Sequence, residues 1–250
     1  MNKLLSNVDF YSELAREYDD MISFNSAIKA KENLLKKFIS KKIITVADIG
    51  CGSGVDSIAL ALQGLKVSGF DPSSEMLKKA EVNAKRINVK LNFYNDAADK
   101  IPKKFDCNFD LVVSLGNTIA NIPELRLLKS LNRCHEILKP GGRLLIQVLN
   151  YDKILSEKQR IISITESRNK FYIRFYDFPD KKIIFNILNF KKENRLEYKI
   201  FSSRIYPYNK KYLETKLKST GFKSVMCYSD LSFTKFDSEN SKDLVISAFK

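Results

Sequence analysis

The stretch Asp48-Ile49-Gly50-Cys51-Gly52-Ser53-Gly54 sets three glycines at alternate positions directly after an apolar run, with an aspartate in front. Glycines there let the backbone turn tightly and bring its N–H groups close to a ligand with no Cβ in the way. The spacing therefore suits a loop that cradles a nucleotide-like cofactor, although a tight turn after any buried strand uses glycine too. A dinucleotide loop requires G-x-G-x-x-G or a final alanine, and Val55 falls where its third small residue belongs. Asp71-Pro72 follows the run Leu65 to Phe70, about 20 positions beyond the turn, where a carboxylate at the tip of the next strand accepts hydrogen bonds from ribose hydroxyls. By itself Asp71 is equally a turn or N-cap residue. Asn95-Asp96, after Leu91 to Tyr94, either hold an adenine amino group or form a turn.

Elements that position these residues follow from the apolar pattern. Ile43 to Val46 are β-branched throughout, as in a strand buried on both faces, and Val55 to Leu62 restart as a helix. Strands are expected at 43–49, 65–70, 90–94, 109–115 and 143–149, with helices at 55–63, 74–88 and 123–138. Such alternation predicts an α/β, doubly wound parallel sheet with helices on both faces. Lys139-Pro140-Gly141-Gly142 should stop the third of these helices. Residues from Asp9 to Ile39 read as helical, with Phe10, Leu14, Tyr18 and Met21 near helical spacing. Beyond residue 160, runs rich in isoleucine, phenylalanine and tyrosine at 161–165, 171–177, 182–190 and 195–205 read as antiparallel strands of a cap. A helix at 209–219 and strands at 223–229 and 243–249 close the chain. One domain is expected over 1–250, with a helical lid at 1–40 and a cap insertion at 160–206.

With 250 residues, 44% of them hydrophobic, the chain is long enough for one well-buried domain. Four cysteines lie apart without a C-x-x-C, and His135 is the single histidine, so neither a metal site nor a disulfide framework is expected. The amino-terminal segment lacks the apolar core of a signal peptide, and no run approaches a membrane span. A soluble, cytoplasmic protein without a membrane partner is expected. The formal charge of +14 favours anionic partners. The excess is dispersed as pairs such as Lys36-Lys37, Lys103-Lys104 and Lys210-Lys211, more in keeping with a solvated surface than with nucleic-acid binding.

The segments DIGCGSGVDSIAL (48–60), GFDPSSEMLKKA (69–80), FDLVVSLGNTIANIP (109–123) and KPGGRLLIQVLNYDKIL (139–155) together resemble the class I S-adenosylmethionine (SAM)-dependent methyltransferases, and within them the glycine N-methyltransferase family. The resemblance implies a seven-stranded Rossmann-like sheet of order 3-2-1-4-5-7-6, with SAM over the carboxyl ends of the first two strands. Taken with the residue readings above, it leads to cofactor contacts expected at Asp48, Gly50, Cys51, Gly52 and Gly54, at Asp71, Pro72, Ser73 and Met76, at Asn95, Asp96 and Ala97, and at Leu115 and Gly116. Tyr11 and Tyr18 would close over the cofactor from the amino-terminal helix, and Asn117, Tyr151 and Tyr206 would align the acceptor.

One departure bears on the substrate and a second on the cofactor. Glycine N-methyltransferases carry an arginine before Asn-Tyr-Asp that grips the acceptor's carboxylate, and here Leu149 precedes Asn150-Tyr151-Asp152. Leucine makes no such bidentate clamp. The family's amino-terminal arginine, which holds the cofactor's carboxylate, has only Lys29 and Lys31 as counterparts between Phe24 and Leu35, with Arg16 earlier. Arg174 either supplies a substitute anion contact from the cap or is a surface strand residue. The expected activity is in-line methyl transfer to nitrogen or oxygen of a small molecule, with positioning as the main source of acceleration. An RNA methyltransferase, prompted by the charge, and a non-catalytic SAM-binding module are the alternatives.

Overall fold

The computed structural model describes residues 4–40, 42–180, 182–193 and 197–250. The first three residues of the expected lid, and residues 181 and 194–196 of the expected cap, lie outside the described residues. Helices α1 (Asn7–Ile22) and α2 (Phe24–Leu35) lead into β1 (Thr45–Ile49), α3 (Val55–Ala61), β2 (Lys66–Phe70), α4 (Ser74–Ile87) and β3 (Asn92–Tyr94). Then follow β4 (Phe109–Ser114), α5 (Glu124–Ile137), β5 (Leu138–Leu149) and α6 (Tyr151–Glu157). The cap is β6 (Ile161–Ser167), β7 (Lys170–Asp177), β8 (Ile183–Lys191) and β9 (Tyr198–Ile205), after which come α7 (Lys210–Ser219), β10 (Lys223–Tyr228) and β11 (Asp243–Phe249).

The main sheet has seven strands in the order β10-β11-β5-β4-β1-β2-β3, and a separate sheet holds β6-β7-β8-β9. With the cap strands set aside this is the order 3-2-1-4-5-7-6 that the sequence motifs imply. Strands β1 to β5 pair in parallel, while β11 runs antiparallel between β5 and β10. Alternate residues of the parallel strands feed two cores: Ala47, Val112 and Ile146 pack with α5 and α7, whereas Val46, Leu111 and Leu145 pack with α2 and α3. Both faces of these strands are covered, which explains their near-continuous apolar runs.

Three local details depart from the sequence reading. β1 begins at Thr45 and not at residue 43, because the amides of Ile44 and Thr45 donate to the Asp110 carboxylate at 3.0 and 2.8 Å. Lys139-Pro140-Gly141-Gly142 does end α5, yet β5 already starts at Leu138 and runs through it, with a register shift opposite Phe109 and Leu111. α6 was not anticipated. Its N-cap is Asn150, whose side chain accepts from Lys153 N–H.

α1 spans the interval between the main sheet and the cap. Its apolar stripe of Phe10, Leu14 and Met21 buries against Tyr172, Ile187 and Phe201 of the cap sheet. The segment before α1 runs beside β9, with Leu5 N–H donating to the Ser202 carbonyl at 2.9 Å. The segment before α1, α1 itself and the cap sheet are therefore one packed layer over the carboxyl ends of β1, β2 and β4. Among the described residues, no helix is long and apolar enough to cross a membrane.

Candidate active site

A cavity of about 470 Å³ opens where β1, β2 and β4 end. Its floor is the turn from β1 into α3. Gly50, Gly52 and Gly54 all have positive φ (+73°, +53° and +89°), a conformation strained for other residues. Their roles differ. A Cβ on Gly50 would lie 2.2 Å from Thr118 Cγ2, so Gly50 permits close approach of the loop after β4. A Cβ on Gly54 would meet Ala80 of α4 at 3.2 Å, so Gly54 serves helix packing. Gly52 and Gly116 have no atom within 4 Å of that position, and both line the cavity. Ser53 also lines it, with a buried Oγ that has no hydrogen-bond partner among the described residues. Open backbone at two glycines beside an unsatisfied hydroxyl is the cradle a polar ligand requires.

Asp71 stands at the tip of β2 and is 8% exposed. Its Oδ1 accepts from Ser73 N–H at 2.8 Å and its Oδ2 from Gly52 N–H at 2.9 Å. Burial raises its pKa and these two bonds oppose the rise. Each oxygen keeps a lone pair for a further donor, so the carboxylate both fixes the glycine loop and presents acceptors to vicinal hydroxyls. Ser73 caps α4 through its Oγ, which accepts from Met76 N–H at 3.2 Å, and Met76 is held at the cavity wall.

Of the residues expected at the site, the cavity brings together Tyr11, Tyr18, Gly50, Cys51, Gly52, Asp71, Pro72, Ser73, Met76, Ala97, Leu115, Gly116 and Tyr206. Asp48, Gly54, Asn95, Asp96, Asn117 and Tyr151 are not among its lining residues, and five of these six have another structural reason for their type. Asp48 is buried beneath the loop and accepts from Ser57 Oγ at 2.6 Å. Desolvation, with Asp56 next in order, pushes its carboxyl up to about 7. Gly54 faces Ala80 as described. The Asn95 amide donates to the Asp71 carbonyl at 3.0 Å, bracing the turn after β2. Asp96 sits in the same turn, its N–H bonded to the Tyr94 carbonyl at 2.9 Å, and nothing in the structure explains its side chain.

Asn117 and Tyr151 are bonded to each other, the amide donating to Tyr151 Oη at 2.7 Å. Asn117 Oδ1 also accepts from Leu149 N–H at 3.1 Å, tying the loop after β4 to the end of β5. Asn117 adopts φ +72°, a left-handed conformation that asparagine tolerates. Tyr151 is 1% exposed, and its hydroxyl reaches Tyr176 of the cap. Both residues thus brace the loop that carries Gly116.

The phenols around this point hold their protons. Burial pushes Tyr18 and Tyr176 up to about 12 and raises Tyr11 and Tyr151 further. Near neutral pH they are hydrogen-bonding groups and not bases.

Arg174 lies on β7 between Tyr172 and Tyr176 in the alternation, so it shares the face that packs on α1. Its Nε donates to Ser163 Oγ at 2.6 Å. It has no ion-pair partner among the described residues, and its charge acts on Tyr18 and Tyr176. Arg174 is half-buried and is not among the residues that line the cavity. Lys31 reaches Asp56 at 3.0 Å and Gln147 at 3.3 Å, beside the glycine loop.

Thr118, Asn121, Asp99, Arg126 and Arg204 also line the cavity and were not foreseen. Thr118 and Asn121 belong to the motif after β4, so that motif carried the signal for them. The Asp99 to Arg126 ion pair joins the turn after β3 to α5, and Arg204 stacks over Tyr206 at 4.9 Å from the ring centre. No local pattern marks those three.

Comparison with known proteins gives the same picture. A model of the methyltransferase domain family matches residues 46–142. The chain is 25% identical over 240 residues to a glycine/sarcosine N-methyltransferase of Aphanothece halophytica, covering 90% of this chain and 84% of that one. It is 35% identical over 123 residues to the glycine N-methyltransferase of Mus musculus, covering 44% of this chain and 42% of the mouse protein. In the latter case the similar part is less than half of the relative. A crystal structure of a SAM-dependent methyltransferase from Clostridium acetobutylicum superposes with a TM-score of 0.77 at 19% identity, covering 96% of this chain and 98% of the other.

Proposed function

Since the chain belongs to the class I SAM-dependent methyltransferases, we propose that it methylates nitrogen or oxygen of a small-molecule acceptor enclosed beneath the lid and cap. The observation that carries this reading is the roof of the cavity. Residues Leu4 to Val8, Tyr11 and Tyr18 of the lid and Arg204 and Tyr206 of the cap line the same space as the glycine loop. A volume of about 470 Å³ under such a cover suits a nucleoside-sized ligand and a compact second molecule, and leaves little room for a base presented on a polynucleotide. The roof does not rest on the overall charge, which is all that prompted the RNA alternative.

When bound, SAM supplies a methyl group on a sulfonium, and transfer leaves a neutral thioether. Asp71 would hold the ribose hydroxyls, Gly52 and Ser53 the polar tail, and Met76 with Ala97 the adenine. The cytoplasmic location expected from free thiols belongs to the same proposal.

What remains for the protein is to align the acceptor and exclude water. Gly116, backed by the Asn117 and Tyr151 pair, forms the wall against which the acceptor atom would lie. The protonated phenols of Tyr11 and Tyr18 orient lone pairs without removing a proton, so an amine acceptor would enter neutral. Arg174, on the same layer as Tyr18 and without a carboxylate partner among the described residues, would meet an acidic group on the acceptor in place of the family's arginine at position 149. Its half-buried guanidinium would offer an anionic acceptor a charge-assisted contact.

Incubation with methyl-labelled SAM and, in parallel, a small-metabolite extract and total RNA tests the reading. Label confined to the metabolite fraction is expected. Label in RNA, or none despite tight SAM binding, would overturn it in favour of one of the two alternatives.

A further inference from the structure

We propose that a second cleft, at the corner of α1 and α2 against α4 and the β6–β7 turn, binds a small phosphate-bearing molecule and thereby tightens the lid over the cofactor cavity. The cleft encloses about 300 Å³. Four cations, Arg16, Lys79, Arg86 and Arg168, face two carboxylates there, Asp19 and Asp20. Lys79 is paired with Asp19 at 3.3 Å and Arg168 with Asp20 at 3.2 Å. The other two guanidiniums have no carboxylate partner among the described residues. Arg86 bonds the Asn25 amide oxygen at 3.2 Å and lies over the Phe24 ring. Arg16 has no ion-pair or hydrogen-bond partner among the described residues. Planar guanidinium forks left unpaired around a concavity match phosphate oxygens.

One more feature favours a phosphate ester or a protonated phosphate over a simple halide. The buried Oδ1 of Asp19 has no hydrogen-bond partner among the described residues, so it can accept from a hydroxyl on the ligand.

The cleft is joined to the cofactor loop by a short path. Asn83 Nδ2 donates both to Asp19 Oδ2 at 2.8 Å and to the Ser53 carbonyl at 3.1 Å. Asp19 adjoins Tyr18 on α1, and Ser53 and Tyr18 line the main cavity. A ligand spanning α1, α4 and the β6–β7 turn would hold the lid and cap to the core, which favours the closed form that retains cofactor. The same linkage requires SAM to tighten the anion. The coupling rests on the methyltransferase reading, whereas the anion site does not.

Thermal unfolding and calorimetric SAM binding, each with inorganic pyrophosphate or with chloride at matched ionic strength, test both parts. For the native chain, pyrophosphate should raise the unfolding midpoint saturably and tighten SAM about fivefold. The double variant Arg16→Gln/Arg86→Gln should lose both responses while binding SAM normally in chloride. An equal response in the variant, weaker SAM binding as pyrophosphate rises, or a response to a short RNA alone would each refute the proposal. If SAM fails to bind at all, the midpoint shift still decides whether the anion site exists.

Discussion

Replacing Asp71 by asparagine isolates the electrostatic part of the cofactor site, because size and shape are kept. The carboxylate oxygens accept from Ser73 N–H and Gly52 N–H at 2.8 and 2.9 Å, so in either amide orientation an NH2 group must face one of these donors. One charge-assisted bond, worth about 1.5 to 3 kcal/mol, is lost, and the opposed donors cost about 1 to 3 kcal/mol more. Some of that falls on the unliganded fold. About 2 kcal/mol there lowers the unfolding midpoint by about 4 to 8 °C in a domain of this size. The remainder falls on the ligand, since a neutral amide offers a single acceptor oxygen to two ribose hydroxyls. About 2.7 kcal/mol of lost binding corresponds to a 100-fold weaker Kd for SAM. Titration calorimetry with SAM and with its demethylated product, beside a thermal melt, separates the two contributions. A variant that melts lower yet binds SAM within about threefold of the native protein would show that Asp71 only braces the loop and does not recognise the ribose.

Other residues carry independent tests. Gly50→Ala should destabilise the chain by more than about 3 kcal/mol, from left-handed strain together with the 2.2 Å approach to Thr118 Cγ2. Adding Thr118→Ala should restore part of the loss, and a denaturant melt of the double variant with no recovery would exclude the steric account. The Asp48 carboxyl, raised by burial to about 7 from an ordinary 3.8, binds its proton more tightly folded than unfolded. Its contribution to stability is therefore full below pH 3.8 and is lost as pH rises toward 7. Subtracting the melting profile of Asp48→Asn from that of the native chain should reveal this fall, and a flat difference would contradict it. Arg174→Gln should raise the acceptor KM about tenfold or more while leaving SAM affinity within about twofold, as loss of a charge-assisted contact predicts. Equal losses in both would instead indicate a structural role in the cap.

The periodic elements were legible in the chain because both signals that mark them are local. β1 and β4 are largely apolar on both faces, and Gly50, Gly52 and Gly54 punctuate a strand-to-helix turn, so order and type follow from patterns a few residues long. Asp71 was legible for the same reason, since its distance from the glycine turn is set by one βαβ unit. Strand order came from the resemblance and not from periodicity, since pairing is a contact between segments far apart in sequence.

Tertiary structure decided which of the marked residues face the cavity. Asn95, Asn117 and Tyr151 lie in the right loops, yet each spends its polar group on a neighbour, respectively the Asp71 carbonyl, the Leu149 amide and Asn117 itself. A sequence motif reports that a residue is needed at a place, and only packing shows whether it is needed by the ligand or by the loop that holds the ligand. The orientation of Arg174 was settled the same way, by the face of β7 that α1 covers. So was the convergence of Arg16, Arg86 and Arg168 from α1, α4 and the cap, residues up to 152 positions apart in the chain. Local propensity carries no information about which distant surfaces must share a buried interface, and here that sharing defines the cavity, its roof and the second cleft.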